Sequence, residues 1–205
     1  MGTSSILDVI GSFLVAGILL LMGLSLTASS NEVRAVYSGN YNLQTNLTTV
    51  VEMLQTDFRK MGYCRTWYRI TSPITIAQAN RIRFKADLNN TGTIDSVTYS
   101  VGSTSELNGI NGTPNPNDFY LYRRVNNGDS VRWNFGLTQF SFSYRNAVDS
   151  LLSFPISDPR LAYYMTLSLA VSSPTPYKEE YQIDTSRYTV IWKQMRLVSK
   201  NITNR

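Results

Sequence analysis

Residues 9–28 read VIGSFLVAGILLLMGLSLTA, a run with no charged side chain. At about 1.5 Å of rise per residue it makes a helix of roughly 30 Å, the thickness of a bilayer core. Asp8 bounds it on one side, and Glu32 and Arg34 follow on the other. No other stretch of the chain is comparable, so the reading of this one decides the fold. Three readings compete. A cleaved secretory signal would carry a basic flank before the apolar run, and here Asp8 occupies that place. A simple membrane anchor needs only the length and the lack of charge. An anchor that also packs against copies of itself needs small side chains on one face. Gly11, Ser12, Ala16, Gly17, Gly23 and Thr27 are small, and Ser12, Ala16, Gly23 and Thr27 recur at spacings of four and seven. Such residues let helix backbones approach closely where lipid supplies no hydrophobic drive. Glycine is also common in lone membrane helices, so the last two readings stay open at this point.

The helical pattern does not stop at the membrane. Within residues 31–62, Leu47, Val51, Leu54, Phe58 and Met61 follow the alternation of four and three that marks one helical stripe. These five are expected to bury against a sheet. Gln55, Asp57, Arg59 and Lys60 fall on the polar side, and Arg59 and Lys60 suit the negative end of the helix dipole. Gly62 is the expected C-terminal stop, and Ser38-Gly39-Asn40 is a point where the helix is expected to be weak.

Past Gly62 the period changes from helical to alternating. Residues 81–86 (RIRFKA) and 94–101 alternate as half-buried strands do, with the polar glycine turn DLNNTGT between them. That turn has the beginnings of a calcium loop in Asp87, Asn89, Thr91, Gly92 and Asp95, but the twelfth place, which needs a bidentate Glu, is Thr98. A plain hairpin turn is expected, with no metal. Residues 103–118 read as a long surface loop and 146–159 as irregular chain. Strands are expected at 119–125, 136–145, 160–172 and 188–200. The division is therefore a hydrophobic helix (1–30), its amphipathic continuation (31–62) and a β-rich domain (63–205). The last holds about 140 residues, ample for its own core.

Composition removes several function classes. The chain has 205 residues, no histidine and a single cysteine. The commonest catalytic base and metal ligand is thus missing, as are an internal disulfide and multi-cysteine zinc sites. No nucleophile motif and no phosphate-binding glycine loop is present. Cys64 is expected to be a buried small hydrophobe. The implication is a protein that is not an enzyme, with no cofactor and no small-molecule substrate. Glu179-Glu180 reads as a solvated loop, and the sequons at Asn46, Asn89, Asn111 and Asn201 as coincidence in an Asn-rich chain. The balance of 19 Lys+Arg against 14 Asp+Glu is modestly basic. A nucleic-acid footprint requires cations clustered on one face, and along the sequence they are scattered, so no nucleic-acid partner is expected.

The order of these parts resembles type IV pilins and the pseudopilins of type II secretion, most closely the J-type pseudopilins and W-type minor pilins. The resemblance is carried by LQTDFRKMGY (54–63), by the hairpin running into Val97-Thr98-Tyr99, by Leu121-Tyr122-Arg123, by GLTQFSFSY (136–144) and by MRLVSKN (195–201). It implies an α+β fold: a long N-terminal helix followed by an antiparallel sheet. It also implies a structural subunit of an extracellular filament, held in the inner membrane before assembly and partnered by copies of itself or by other pilin-like subunits. The start of the chain departs from the pattern. Where that family has a basic leader, a cleavage glycine and Phe-Thr-Leu-x-Glu, this chain has Met1-Gly2-Thr3-Ser4-Ser5-Ile6-Leu7-Asp8. Asp8 is the acid expected to stand in for the Glu and to pair with a neighbouring terminal amine. The assembly residues are then Asp8, Gly11, Ser12, Ala16, Gly23 and Thr27. The alternative function is a single-pass anchored extracytoplasmic domain serving as an accessory subunit of an envelope complex.

Overall fold

A computed structural model describes residues 3–66, 70–107, 112–174 and 188–198. It shows one long helix, α1 (Thr3–Arg59), followed by seven strands. These are β1 (Ile74–Ala77), β2 (Arg81–Ala86), β3 (Asp95–Val101), β4 (Phe119–Val125), β5 (Ser130–Arg145), β6 (Tyr164–Ser172) and β7 (Val190–Leu197). The chain divides into two compact units, 1–42 and 43–205.

The described part of the first unit, residues 3–42, is helix. Its side chains from Ile6 through Leu26 are exposed wherever they are large and apolar. The segment is long and apolar enough to cross a membrane. Ser38, Gly39 and Asn40 remain helical, so the expected weak point does not interrupt α1.

The second unit is a meander. Its strands lie in the order β1-β2-β3-β4-β5-β6-β7, each antiparallel to the next. Antiparallel neighbours need only a turn, as between β1 and β2 and between β4 and β5, while longer loops join β3 to β4 and β5 to β6. Residues 43–59 of α1 supply the core's helical wall. Leu43, Leu47, Val50, Val51, Leu54 and Phe58 join Ile82, Phe84, Tyr99, Leu121, Leu137 and Leu167 in one buried cluster. Phe58 sits among three rings, with centroids 5.5 Å from Phe84, 5.6 Å from Tyr99 and 6.0 Å from Phe142.

Several boundaries differ from those read in the sequence. α1 ends at Arg59, and Met61 is buried from the turn beyond it. Gly62 adopts φ 73°, and its N–H donates to Lys85 O across 2.8 Å, so the stop is made by a left-handed residue already tied to the sheet. β1 was not foreseen: four residues are too few for alternation to register. β5 begins at Ser130, six positions before the expected start. Gly136 breaks the alternation there, with φ 69° and a virtual Cβ 2.7 Å from Ser172 O, so a side chain at this position is excluded twice over. The expected strand from 160 begins at Tyr164, because Pro159–Leu161 form a 3-10 turn capped by Asp158. Within 103–118, Thr104–Leu107 is a 3-10 turn and Asn115 and Asp118 are buried. Glu179, Glu180, Asn111, Asn201 and positions 199–200 lie outside the described residues.

Candidate functional site

On the first unit, Asp8, Ser12, Ala16, Gly23 and Thr27 fall within an arc of about 100° at 3.6 residues per turn, with Gly11 beside them. Asp8, Ser12, Ala16, Gly23 and Thr27 are exposed and Gly11 is half-buried. The Ser12 hydroxyl donates to Val9 O and the Thr27 hydroxyl to Gly23 O, each at 2.8 Å. Both hydroxyls are thus satisfied by their own helix, and the face needs no water to complete them. A Cβ added at Gly11, Gly17 or Gly23 would meet nothing within 4 Å. Nothing among the described residues of this chain asks for glycine there.

On the second unit, the stripe Leu47, Val51, Leu54, Phe58 and Met61 is buried. Beside it lies a polar clamp that the sequence reading missed. Asp57, assigned to the polar side of the helix, is 8 % exposed. Its Oδ2 accepts from Tyr99 Oη and from Arg123 Nε, both at 2.6 Å. Tyr99 and Arg123 are register partners on β3 and β4, so one carboxylate fixes the end of α1 to two strands at once. Burial pushes the Tyr99 hydroxyl far above its ordinary value, and the Asp57 charge pushes the same way. Burial alone would lower the Arg123 guanidinium, but Asp57 outweighs it and holds the guanidinium above its usual value. A signal existed: Val97-Thr98-Tyr99 and Leu121-Tyr122-Arg123, quoted above as family elements, carry the two partners.

The loop weighed as a calcium site is organised from within. Asp87 is fully buried, and its carboxylate accepts from the N–H groups of Gly92 (2.8 Å), Thr91 (3.1 Å) and Arg65 (3.2 Å). Burial alone would raise its pKa; the backbone donors outweigh that and hold the carboxyl below the ordinary 3.8. Asp95 accepts from Leu88 N–H and from Asn126. No group of three or more His, Cys, Asp or Glu placed to hold a metal occurs among the described residues. Cys64 is buried.

Set beside known proteins, the chain matches no curated protein and no solved structure. A family model does match, that of prepilin peptidase-dependent protein B, over residues 37–186. That span takes in the buried half of α1 and the sheet through β6. Covering well over half of the chain, it shows that the protein belongs to the family of prepilin peptidase-dependent protein B, a pilin-like family that is structural rather than catalytic.

Proposed function

We propose that this protein is a structural subunit of a type IV pilus-like filament, polymerising through the apolar half of α1. The observation that carries the proposal is the small-residue face of residues 8–27, whose glycines no packing within the chain requires. In this reading the helix rests in the inner membrane and then enters a filament core outside the cell. Its neighbours are copies of itself or other pilin-like subunits. Gly11, Ser12, Ala16, Gly23 and Thr27 admit the neighbouring backbones, and Asp8 meets the terminal amine of the next subunit, a charge-assisted contact in a dry setting. The clamp at Asp57 and the stripe 47–61 hold the sheet to the helix that assembles. Within the superfamily, the elements at 54–63, 97–99 and 121–123 favour kinship with the J-type pseudopilins and W-type minor pilins.

The test is electron microscopy of cell-surface shear fractions. Asp8→Ala and Ser12→Leu are expected to abolish filaments while circular dichroism shows the sheet intact. Abundant normal filaments from Asp8→Ala would remove the pairing with the amine. Discrete, non-helical particles from the unmutated protein would favour the single-pass anchored domain in an envelope complex.

A further inference from the structure

The cations that are scattered along the sequence are gathered by the sheet. In β2, Ile82, Phe84 and Ala86 are buried, which puts Arg81, Arg83 and Lys85 on the opposite face. The register carries that face across three more strands. Arg83 lies opposite Thr98, Thr98 opposite Arg124, and Arg124 opposite Ser130. Arg81 lies opposite Ser100, Ser100 opposite Tyr122, and Tyr122 opposite Arg132. Five cations therefore share one face. Neighbours along β2 are about 6.8 Å apart, and Arg83 and Arg124 are about 9.6 Å apart across two strand spacings.

The charge on this face is only partly offset from within the chain, by Glu106 acting on Arg132. The ion pairs among the described residues join Arg123, Arg145, Arg160 and Arg196 to carboxylates, and none involves these five. Arg83 Nε donates to Thr98 Oγ1 at 3.0 Å, and the Arg132 guanidinium lies 4.8 Å from the centre of the Tyr120 ring. Glu106 reaches the face, accepts from Tyr122 Oη and acts electrostatically on Arg132. Asp95 is held at the end of its strand by Leu88 N–H and Asn126, and Asp129 stands in the β4–β5 turn.

We propose that this outer face of β2–β5 binds the phosphodiester backbone of nucleic acid. A grid of separated charges on an open sheet suits a chain that repeats its anion rather than a single small anion, which would need converging donors. Guanidinium forks and the hydroxyls of Ser96 and Ser100 are phosphate partners, and Tyr120 offers a flat ring on which a base can stack. The outward positions of β2, β3 and β4 carry no aliphatic side chain to enter a bilayer, which sets an anionic lipid surface behind nucleic acid. The proposal revises the expectation drawn from the scattered sequence and does not depend on the filament reading.

The test uses the full chain in phosphatidylcholine nanodiscs and a fluorescein-labelled single-stranded oligonucleotide, followed by anisotropy. Binding is expected to weaken roughly 50–130-fold between about 50 and 200 mM salt, from four to five phosphate contacts. Arg83→Gln/Lys85→Gln/Arg124→Gln should flatten the log–log salt slope by about 2. Arg124→Gln/Arg132→Gln, at two exposed positions, should flatten it by about 1.4 and guards against misfolding of the triple variant. Lys193→Gln on β7 should change nothing. No binding at low salt, or binding with a slope that neither variant alters, would overturn the proposal. So would capture by phosphatidylglycerol vesicles through these residues without affinity for the oligonucleotide.

Discussion

Leu20 and Leu54 occupy the same regular helix, yet Leu20 is 63 % exposed and Leu54 is fully buried. Residues 43–59 present their stripe to a sheet that covers it, and the buried cluster they form is drawn from their own chain. Residues 6–26 present leucines, valines and glycines to nothing in the chain. Helix periodicity is common to both, so periodicity alone does not say what a helix is for. The difference lies in which side chains the rest of the molecule needs. Where the fold demands a residue, its size and shape are explained locally. Where the fold is indifferent, as at Gly11 and Gly23, the explanation has to come from a membrane or a partner.

The sharpest break of that contrast is Phe58→Ala. It empties the space among Phe84, Tyr99 and Phe142 and is expected to destabilise the second unit by about 3–5 kcal/mol. Urea unfolding of the full chain in mild detergent, followed by tryptophan fluorescence, reads this as a lowered midpoint. An unchanged midpoint would mean that the stripe is not what holds the helix to the sheet. Asp57→Ala should cost less, about 1–3 kcal/mol, because it strands the donors of Tyr99 and Arg123. Adding Tyr99→Phe to it should cost less than the two single effects combined, since both remove one network.

The pH profile separates the turn from the helix. Asp87 is held below 3.8 in the folded chain, so its contribution is present above 3.8 and is lost as pH falls through the folded value. Acid unfolding should therefore steepen below about pH 4, and Asp87→Asn should flatten that limb. An identical acid limb in the variant would place the acid sensitivity elsewhere. The smallest effect belongs to the first unit. Leu20→Ala should leave the unfolding free energy of the sheet unit, read from the same urea curves, within about 0.5 kcal/mol of the parent. A larger shift would mean that the sheet unit depends on the apolar half of the helix.

Much of this was legible from residue patterns. The apolar run, the stripe ending at Met61 and the alternation of RIRFKA each repeat a period over enough residues to stand out. β1 did not, because four residues hold barely two periods. The first third of β5 did not, because Val131, Trp133 and Phe135 run into Gly136, where the chain leaves ordinary strand geometry. The clamp was hidden for another reason. Burial of Asp57 is set by Tyr99 and Arg123, 42 and 66 residues away, and a local helical wheel gives any carboxylate to solvent. The cationic face was hidden in the same way. Arg83 and Arg124 share a face only once β2, β3 and β4 are in register.

The claim on which the account rests is that residues 8–27 form a contact surface between subunits. Disulfide cross-linking in membranes and in sheared material tests it, in a Cys64→Ser background, with single cysteines introduced at Ala16 and at Leu21 on the opposite side of the helix. The account predicts efficient oxidation of the Ala16→Cys chain to covalently joined subunits in assembled material, with little from Leu21→Cys. Monomer alone at both positions, or joining favoured at Leu21, would contradict it.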